Sequence, residues 1–261
     1  MILLIHPPVA KPCEPPAGIA KLSGALANHG IEHRLLDANI EGLFHLLKMP
    51  LPPEKAADTW TKRAFRNRER NLSSMRDAGL YRHIDRYRRA VSDIGKVLTG
   101  VSPPGTSVGL ANYEDKGLSP LKSADLITAA ERPDLNPFYP FFRARIEGLF
   151  REKEPAVAGI SLNYLSQALC AFSMIGFIRH EVPKIKIILG GGLVTSWLSC
   201  PQWKNPFKGL VDTLIAGPGE HQLLRLLGLD DSERPRSKLQ SIPNIPSLEG
   251  RACLSGRQGI R

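Results

Sequence analysis

Ile185-Lys-Ile-Ile-Leu-Gly-Gly-Gly192 and Leu210-Val-Asp-Thr-Leu-Ile-Ala-Gly-Pro-Gly-Glu220 decide the fold. Each is a short apolar run that breaks into glycines ahead of a helical pattern, the sequence form of a parallel strand feeding a βα turn. Working outward, Val157-Ala-Gly-Ile-Ser-Leu-Asn163 is a third such run, ending in small and polar residues. Met1-Ile-Leu-Leu-Ile5 is a fourth, running straight into His6-Pro7-Pro8. Leu35-Leu36-Asp37 supplies a fifth, after a helix opened by Pro15-Pro16, carried by Ile19, Leu22 and Leu26, and closed at Gly30. Five strands alternating with helices predict an α/β protein with a Rossmann-like (flavodoxin-like), doubly wound five-stranded parallel sheet.

The alternation is interrupted. Residues 1–43 and 155–228 carry it, whereas 44–154 read as a large, mainly helical insertion, and 229–261 as a linker or unstructured tail. Within the insertion, Leu80, Ile84, Tyr87, Val91, Ile94 and Leu98 are spaced 4-3-4-3-4, which predicts one helical stripe. Residues 101–140 are rich in Gly, Pro, Ser and Asn and predict a long ordered loop. The α/β alternation resumes at Val157. Leu165, Leu169, Phe172 and Ile175 then mark one face of the helix that follows the third run.

Composition bounds the function classes. Apolar residues make up 42% of the 261, enough for a core and against global disorder. The first apolar run lacks a charged leader, and the longest, Ala168 to Ile178, is too short to span a bilayer, so a cytoplasmic protein is expected. Cys13, Cys170, Cys200 and Cys253 stand too far apart for Cys-x-x-Cys chemistry, and reduced thiols are expected. Net charge is +10, and Thr61 to Arg89 holds ten Lys or Arg against three acids. That stretch is expected to be the solvated face of helices covering the sheet, with a phosphate-binding surface for nucleic acid as the alternative.

Site chemistry concentrates in the turns. Gly190-Gly191-Gly192 lets a ligand or helix approach the backbone, and Gly217-Pro218-Gly219 sets free N–H groups ahead of the helix that begins at Glu220. A nicotinamide site is excluded by spacing: Gln222 stands where Gly-x-Gly-x-x-Gly needs its third glycine, and Glu220 would repel a pyrophosphate. His29 and His33 flank Gly30 and need not share a face, so no metal site is expected. His6 and Cys13 together form a candidate nucleophile pair, with five prolines from Pro7 to Pro16 leaving its geometry open. No residue is nominated as catalytic.

Three segments taken together carry a family likeness: His6-Pro7-Pro8-Val-Ala-Lys11-Pro12-Cys13-Glu14-Pro15-Pro16-Ala17-Gly18, the Asp37-Ala-Asn39-Ile-Glu41-Gly42 turn, and Gly217-Pro-Gly-Glu220. With the insertion from Asp58-Thr-Trp60 to Val91 and Asn136-Pro-Phe-Tyr-Pro140, the chain to about residue 245 resembles the N-terminal half of cobalamin-dependent radical S-adenosylmethionine enzymes. That family places a cobalamin-binding Rossmann-like domain ahead of a barrel holding a [4Fe–4S] cluster. Ser161-Leu162-Asn163, with 26 residues between Asn163 and Gly190, is similar in spacing to the Ser-x-Leu and Gly-Gly elements of cobalamin domains of the methionine synthase kind, with Asn163 in place of the Leu. The Asp-x-His-x-x-Gly element is absent, so the resemblance implies a corrinoid held without that histidine, in a slot for the nucleotide tail lined by Ser161, Gly190 and Gly191.

Family members continue into Cys-x-x-x-Cys-x-x-Cys, the thiolate source for the cluster, whereas this chain offers Cys253 alone there. The expectation is therefore a cobalamin-binding module without the barrel, not catalytic by itself, with no [4Fe–4S] cluster and a radical S-adenosylmethionine barrel as its partner in trans. The resemblance and the turns together nominate His6, Pro7, Pro8, Ser161, Asn163, Gly190, Gly191, Gly192, Gly217, Gly219 and Glu220 for the cofactor. The rival readings are a degenerate scaffold without cofactor and a nucleic-acid-binding accessory protein using residues 61–89.

Overall fold

The computed structural model describes residues 1–55 and 58–229. Five parallel strands form the central sheet: β1 (Ile2–His6), β2 (His33–Asp37), β5 (Val157–Ser161), β6 (Lys186–Gly190) and β7 (Thr213–Ile215). Their spatial order is β2-β1-β5-β6-β7, so the sheet is wound outward in both directions from the β1/β5 boundary. Open α/β sheets place ligands outside the carboxyl ends of the strands near such a reversal. The carboxyl ends here are His6, Ser161, Gly190 and Ile215, the last three in register across β5, β6 and β7.

Strand residues alternate between two unequal cores. Leu3, Ile5, Ala158, Ile160, Ile187 and Leu189 join one large apolar cluster, whereas Ile2, Leu4, Val157, Ile188 and Ile215 join a much smaller one. The small cluster is covered by α1 (Ala17–Asn28) and α9 (Glu220–Leu226). The large one takes in α2 (Ala38–Lys48), α4 (Ile84–Val101), α5 (Ser123–Glu131), α6 (Tyr139–Glu152) and α7 (Leu165–Glu181). Segment 44–154 thus shares one continuous core with the sheet, through Leu98, Phe138, Phe142 and Ile146.

α7 is the centre of that thick side. It is buried from Gln167 to Ile178, all round rather than along the single stripe its sequence spacing suggests. The reason is α5, which closes over its outer side: a Cβ on Gly176 would lie 1.8 Å from the Ala130 carbonyl oxygen. α5 falls in the stretch 101–140 expected to be a loop. That stretch also holds an antiparallel hairpin, β3 (Thr106–Val108) and β4 (Tyr113–Asp115). Both elements are short, and α5 packs through Leu126, Ala129 and Ala130, whose alanines leave little periodic signal. Local side-chain bonds set the connection instead. Asp115 accepts from the Gly117 and Leu118 amides, and Asp125 from the Ser119 amide.

Two other expectations shift. Leu80 sits in a 3-10 turn before α4, and Ile84 is 57% exposed, so the helix buries Ala90, Ile94, Val97, Leu98 and Val101 instead of the whole predicted stripe. The connection from β6 to β7 contains a two-turn helix, α8 (Gly192–Leu198), and Trp197, Trp203 and Phe207 pack together behind it. Phe207 then docks on Phe172 of α7, with ring centroids 4.5 Å apart. No helix among the described residues is long and apolar enough to cross a membrane. The expected tail lies almost wholly outside the described residues, as does Cys253. Leu229, the last described, bonds back to Leu224 and packs on the small core.

Candidate functional site

The carboxyl edge of the sheet opens on the thin side into a cavity of about 420 Å³. Its inner wall is apolar: Leu4, Ile188 and Ile215 from the strands, Leu22 from α1 and Leu223 from α9. Its mouth is small or polar, formed by Gly18, Ser161, Asn163, Gly190 to Gly192, Thr195, and Gly217 to Glu220. Lys21 is the one cation among the lining residues and Glu220 the one carboxylate. A volume of this order lies in the usual range for small-molecule sites, roughly 300–1,000 Å³.

A hydrogen-bond lattice holds the mouth in shape. Asn163 Nδ2 donates to Ser161 Oγ at 3.1 Å, and its Oδ1 accepts from the Gly192 amide at 3.1 Å. Thr195 Oγ1 donates to the Gly191 carbonyl and accepts from the Gly217 amide, both at 2.9 Å, so one hydroxyl ties the β6 turn to the β7 turn. Gly191 is required twice over. Its φ is +113°, and a Cβ there would meet the Leu162 carbonyl oxygen at 2.4 Å. Gly190 differs: a Cβ there would make only ordinary contact with Ile215, and at Gly217 it would meet nothing within 4 Å.

The structure therefore brings Ser161, Asn163, Gly190, Gly191, Gly192, Gly217, Gly219 and Glu220 to one cavity. His6, Pro7 and Pro8 lie elsewhere. Pro7 and Pro8 are buried, and the Pro7 carbonyl accepts from Gln167 Nε2 at 2.7 Å, so this segment underpins the start of α7 instead of lining the cavity. His6 lines a smaller neighbouring cavity of about 180 Å³ with Glu14, Pro15, Pro16 and Tyr164, and the two meet at Gly18 and Asn163. His6 is 4% exposed, and its Nδ1 has no hydrogen-bond partner among the described residues. Burial holds its pKa below the ordinary histidine value, with Asp37 across the β1–β2 pairing opposing the shift.

The pairing of His6 with Cys13 does not form. Cys13 is exposed and makes no hydrogen bond to the imidazole. His33 is held by Ser23 Oγ at 2.7 Å and the Ile31 carbonyl at 2.8 Å, and among the described residues no group of three or more His, Cys, Asp or Glu is placed to hold a metal ion.

Sequence reasoning passed over several groups. Thr195 sits in a helix with no motif around it. Gln167, fully buried, accepts from the Asn163 and Tyr164 amides while donating to Pro7, joining the β1 and β5 turns. Asn39 does the same for the segment after β1, exchanging two hydrogen bonds with the Ala10 backbone. The Asp37-Ala-Asn39 turn was the only sequence signal for that contact. Comparison with family models, with curated proteins and with solved structures returned no match.

Proposed function

We propose that the cavity is the slot for the nucleotide tail of a cobalamin, and that the chain acts as a corrinoid-binding module. One observation carries the reading: an apolar pocket between the sheet and α1/α9, entered through glycines whose missing side chains leave it open. A flat aromatic base suits the wall of Leu4, Ile188, Ile215 and Leu223, ribose hydroxyls suit the polar mouth, and the single phosphate of the tail meets one charge of each sign there, with Lys21 offsetting Glu220. Ser161 and Asn163 offer hydrogen-bonding atoms at the mouth, and Thr195 fixes its backbone.

The residues fit the tail better than they fit a ligand to the metal. No histidine or cysteine is among the described residues that line the slot, and His6 belongs to the neighbouring cavity that meets it at Gly18 and Asn163. The chemistry such a cofactor supplies when bound is methyl carriage or radical assistance, and a barrel protein in trans would be the site of its use. The chain's own part is to bind the tail and hold the corrin at the carboxyl edge of the sheet.

The test is titration with hydroxocobalamin, followed by absorbance and by co-elution in gel filtration, on the native protein and on Gly190→Leu. The expected result is stoichiometric retention by the native chain and loss in the variant, with unchanged circular dichroism. No retention by folded native protein would sink the proposal and leave the cofactor-free scaffold. Retention by both proteins would move the site out of the slot.

A further inference from the structure

The basic stretch lies on two packed helices, α3 (Thr59–Ser74) and α4. Asp58 caps α3, accepting from the Trp60 and Thr61 amides. The seam between the helices is closed by one buried carboxylate. Asp93, 3% exposed, accepts from Trp60 Nε1 at 3.0 Å, Arg63 at 3.2 Å and Asn71 at 3.4 Å. Such a buried network fixes how the two helices meet, so the charges they carry are mounted on a rigid strut.

Of the ten cations from Thr61 to Arg89, two have partners: Arg63 on Asp93, and Arg68 on the Met49 carbonyl. The side chains of the other eight make no ion pair or hydrogen bond among the described residues. Lys62, Arg66 and Arg70 recur every four residues, on the side of α3 opposite the buried Thr61, Ala64 and Asn71. Arg76, Arg82, Arg86, Arg88 and Arg89 are all exposed around the turn between the helices. This part of the stretch does not cover the sheet. The first turn and a half of α4, Ile84 to Arg89, is exposed apart from the half-buried Tyr87.

An ordinary solvated face intersperses both signs of charge. Here eight unpartnered cations stand against three exposed acids, Glu69, Asp77 and Asp85, and the excess of positive charge calls for a polyanion. Two aromatic rings stand among them. Tyr81, 59% exposed, lies 5.5 Å from Tyr87 between ring centroids, and its hydroxyl donates to the Met75 carbonyl. Cations beside exposed rings are the chemistry of single-stranded nucleic acid, with phosphates on arginines and bases stacked on aromatics. A membrane surface would instead need a broad apolar face, and Ile84 is the one large aliphatic side chain exposed at this turn.

We infer that the α3–α4 hairpin docks single-stranded nucleic acid, with Arg82, Arg86 and Arg89 on phosphates and Tyr81 beneath a base. The inference stands apart from the corrinoid reading and survives or fails without it.

The experiment is fluorescence anisotropy of the full chain with a labelled mixed-sequence single-stranded RNA of about 20 nucleotides, long enough for one site. Binding should weaken as salt rises, with about 0.7 of log–log slope per phosphate contact. Arg82→Glu/Arg86→Glu/Arg89→Glu should lower affinity at least tenfold and flatten the slope by about 2, three contacts' worth. Tyr81→Ala should lower affinity about fivefold or more at unchanged slope, and Tyr81→Phe should retain binding. These side chains are exposed, and a melting curve checks that each variant is folded. No binding by folded protein at 50 mM salt, as an order-of-magnitude low-salt condition, overturns the inference. So does an unaltered affinity in the arginine variant. Capture by phosphatidylserine vesicles in place of RNA would assign the hairpin to lipid, and equal binding of duplex with Tyr81→Ala silent would reject the stacking role.

Discussion

The helix seams of the thick face and the cavity of the thin face differ in what stands opposite their glycines. At the packed seams of the thick face three glycines are filled by their neighbours: Gly176 takes the Ala130 carbonyl, and a Cβ at Gly42 or Gly100 would strike the ring of Phe138 at 2.9 Å or Phe65 at 2.7 Å. On the thin face Gly159 is filled in the same way, by Leu4 at 2.9 Å, whereas a Cβ at Gly190 would make only ordinary contact with Ile215 and one at Gly217, a residue with φ +70°, would meet nothing within 4 Å; all three line the cavity. Interiors are ordinarily packed to crystal-like density. An open apolar pocket beside a fully packed core therefore reads as a site, and glycine alone does not say which side it serves. At Gly190 the atoms opposite the missing Cβ do.

The comparison can be broken most severely at Gly176. Alanine there sets a methyl against backbone, and α5 must lift from α7, the seam that buries the central helix on its outer side. Overpacking of this kind costs about 3 kcal/mol, a fall in melting temperature of roughly 6–12 °C for a chain of this size. Calorimetry checks it, and a change under 2 °C, at most about 1 kcal/mol, would show that the two helices yield easily. Gly191→Ala comes next. It combines a left-handed φ with overlap on the Leu162 carbonyl, and strain of this kind costs about 2 kcal/mol. Because it damages the fold, it cannot report on a ligand.

Much of this is legible in the sequence. Strands buried on both faces read as near-continuous apolar runs, so Met1 to Ile5 and, broken only by the exposed Lys186, Ile185 to Leu189 stand out, and the glycines after the latter mark the carboxyl edge. The convergence of Ser161, Asn163, Gly190 and Gly217 followed once the strands were adjacent and parallel. What escaped was set by partners distant in sequence. That α7 is covered all round depends on α5, whose alanines carry no pattern. Thr195 matters because Gly217, twenty-two residues away, donates to it. Pro7 and Pro8 sit beside a motif-like histidine yet point the chain beneath α7, a placement fixed by Gln167.

His6 sharpens the comparison from the boundary between the faces. Its imidazole is buried and favoured neutral, so its pKa in the folded state lies below the unfolded value. The unfolded chain therefore binds the extra proton first as pH drops. Stability should be full above about pH 6.5, the unfolded histidine value, and decline as pH falls through that value toward the folded one. Melting temperature followed from pH 8 to pH 5 should show the decline, and His6→Gln should flatten it. An equal decline in the variant would assign the effect to other groups.

The smallest effect is the most discriminating. Gly190 lies in β6 without a left-handed φ, and an added Cβ would make ordinary contact with Ile215 at 3.5–3.6 Å. The fold alone gives no reason for glycine there. Alanine at such a position restricts the unfolded chain and should stabilise by about 0.4–1 kcal/mol. The same methyl enters the mouth of the slot, so a ligand that fits the cavity closely should bind Gly190→Ala more weakly although the protein melts higher. Opposite signs in stability and affinity at one residue are what a ligand site on the thin face requires. If both rise together, the cavity is a packing defect, and the glycines of the two faces differ only in how well their neighbours fill them.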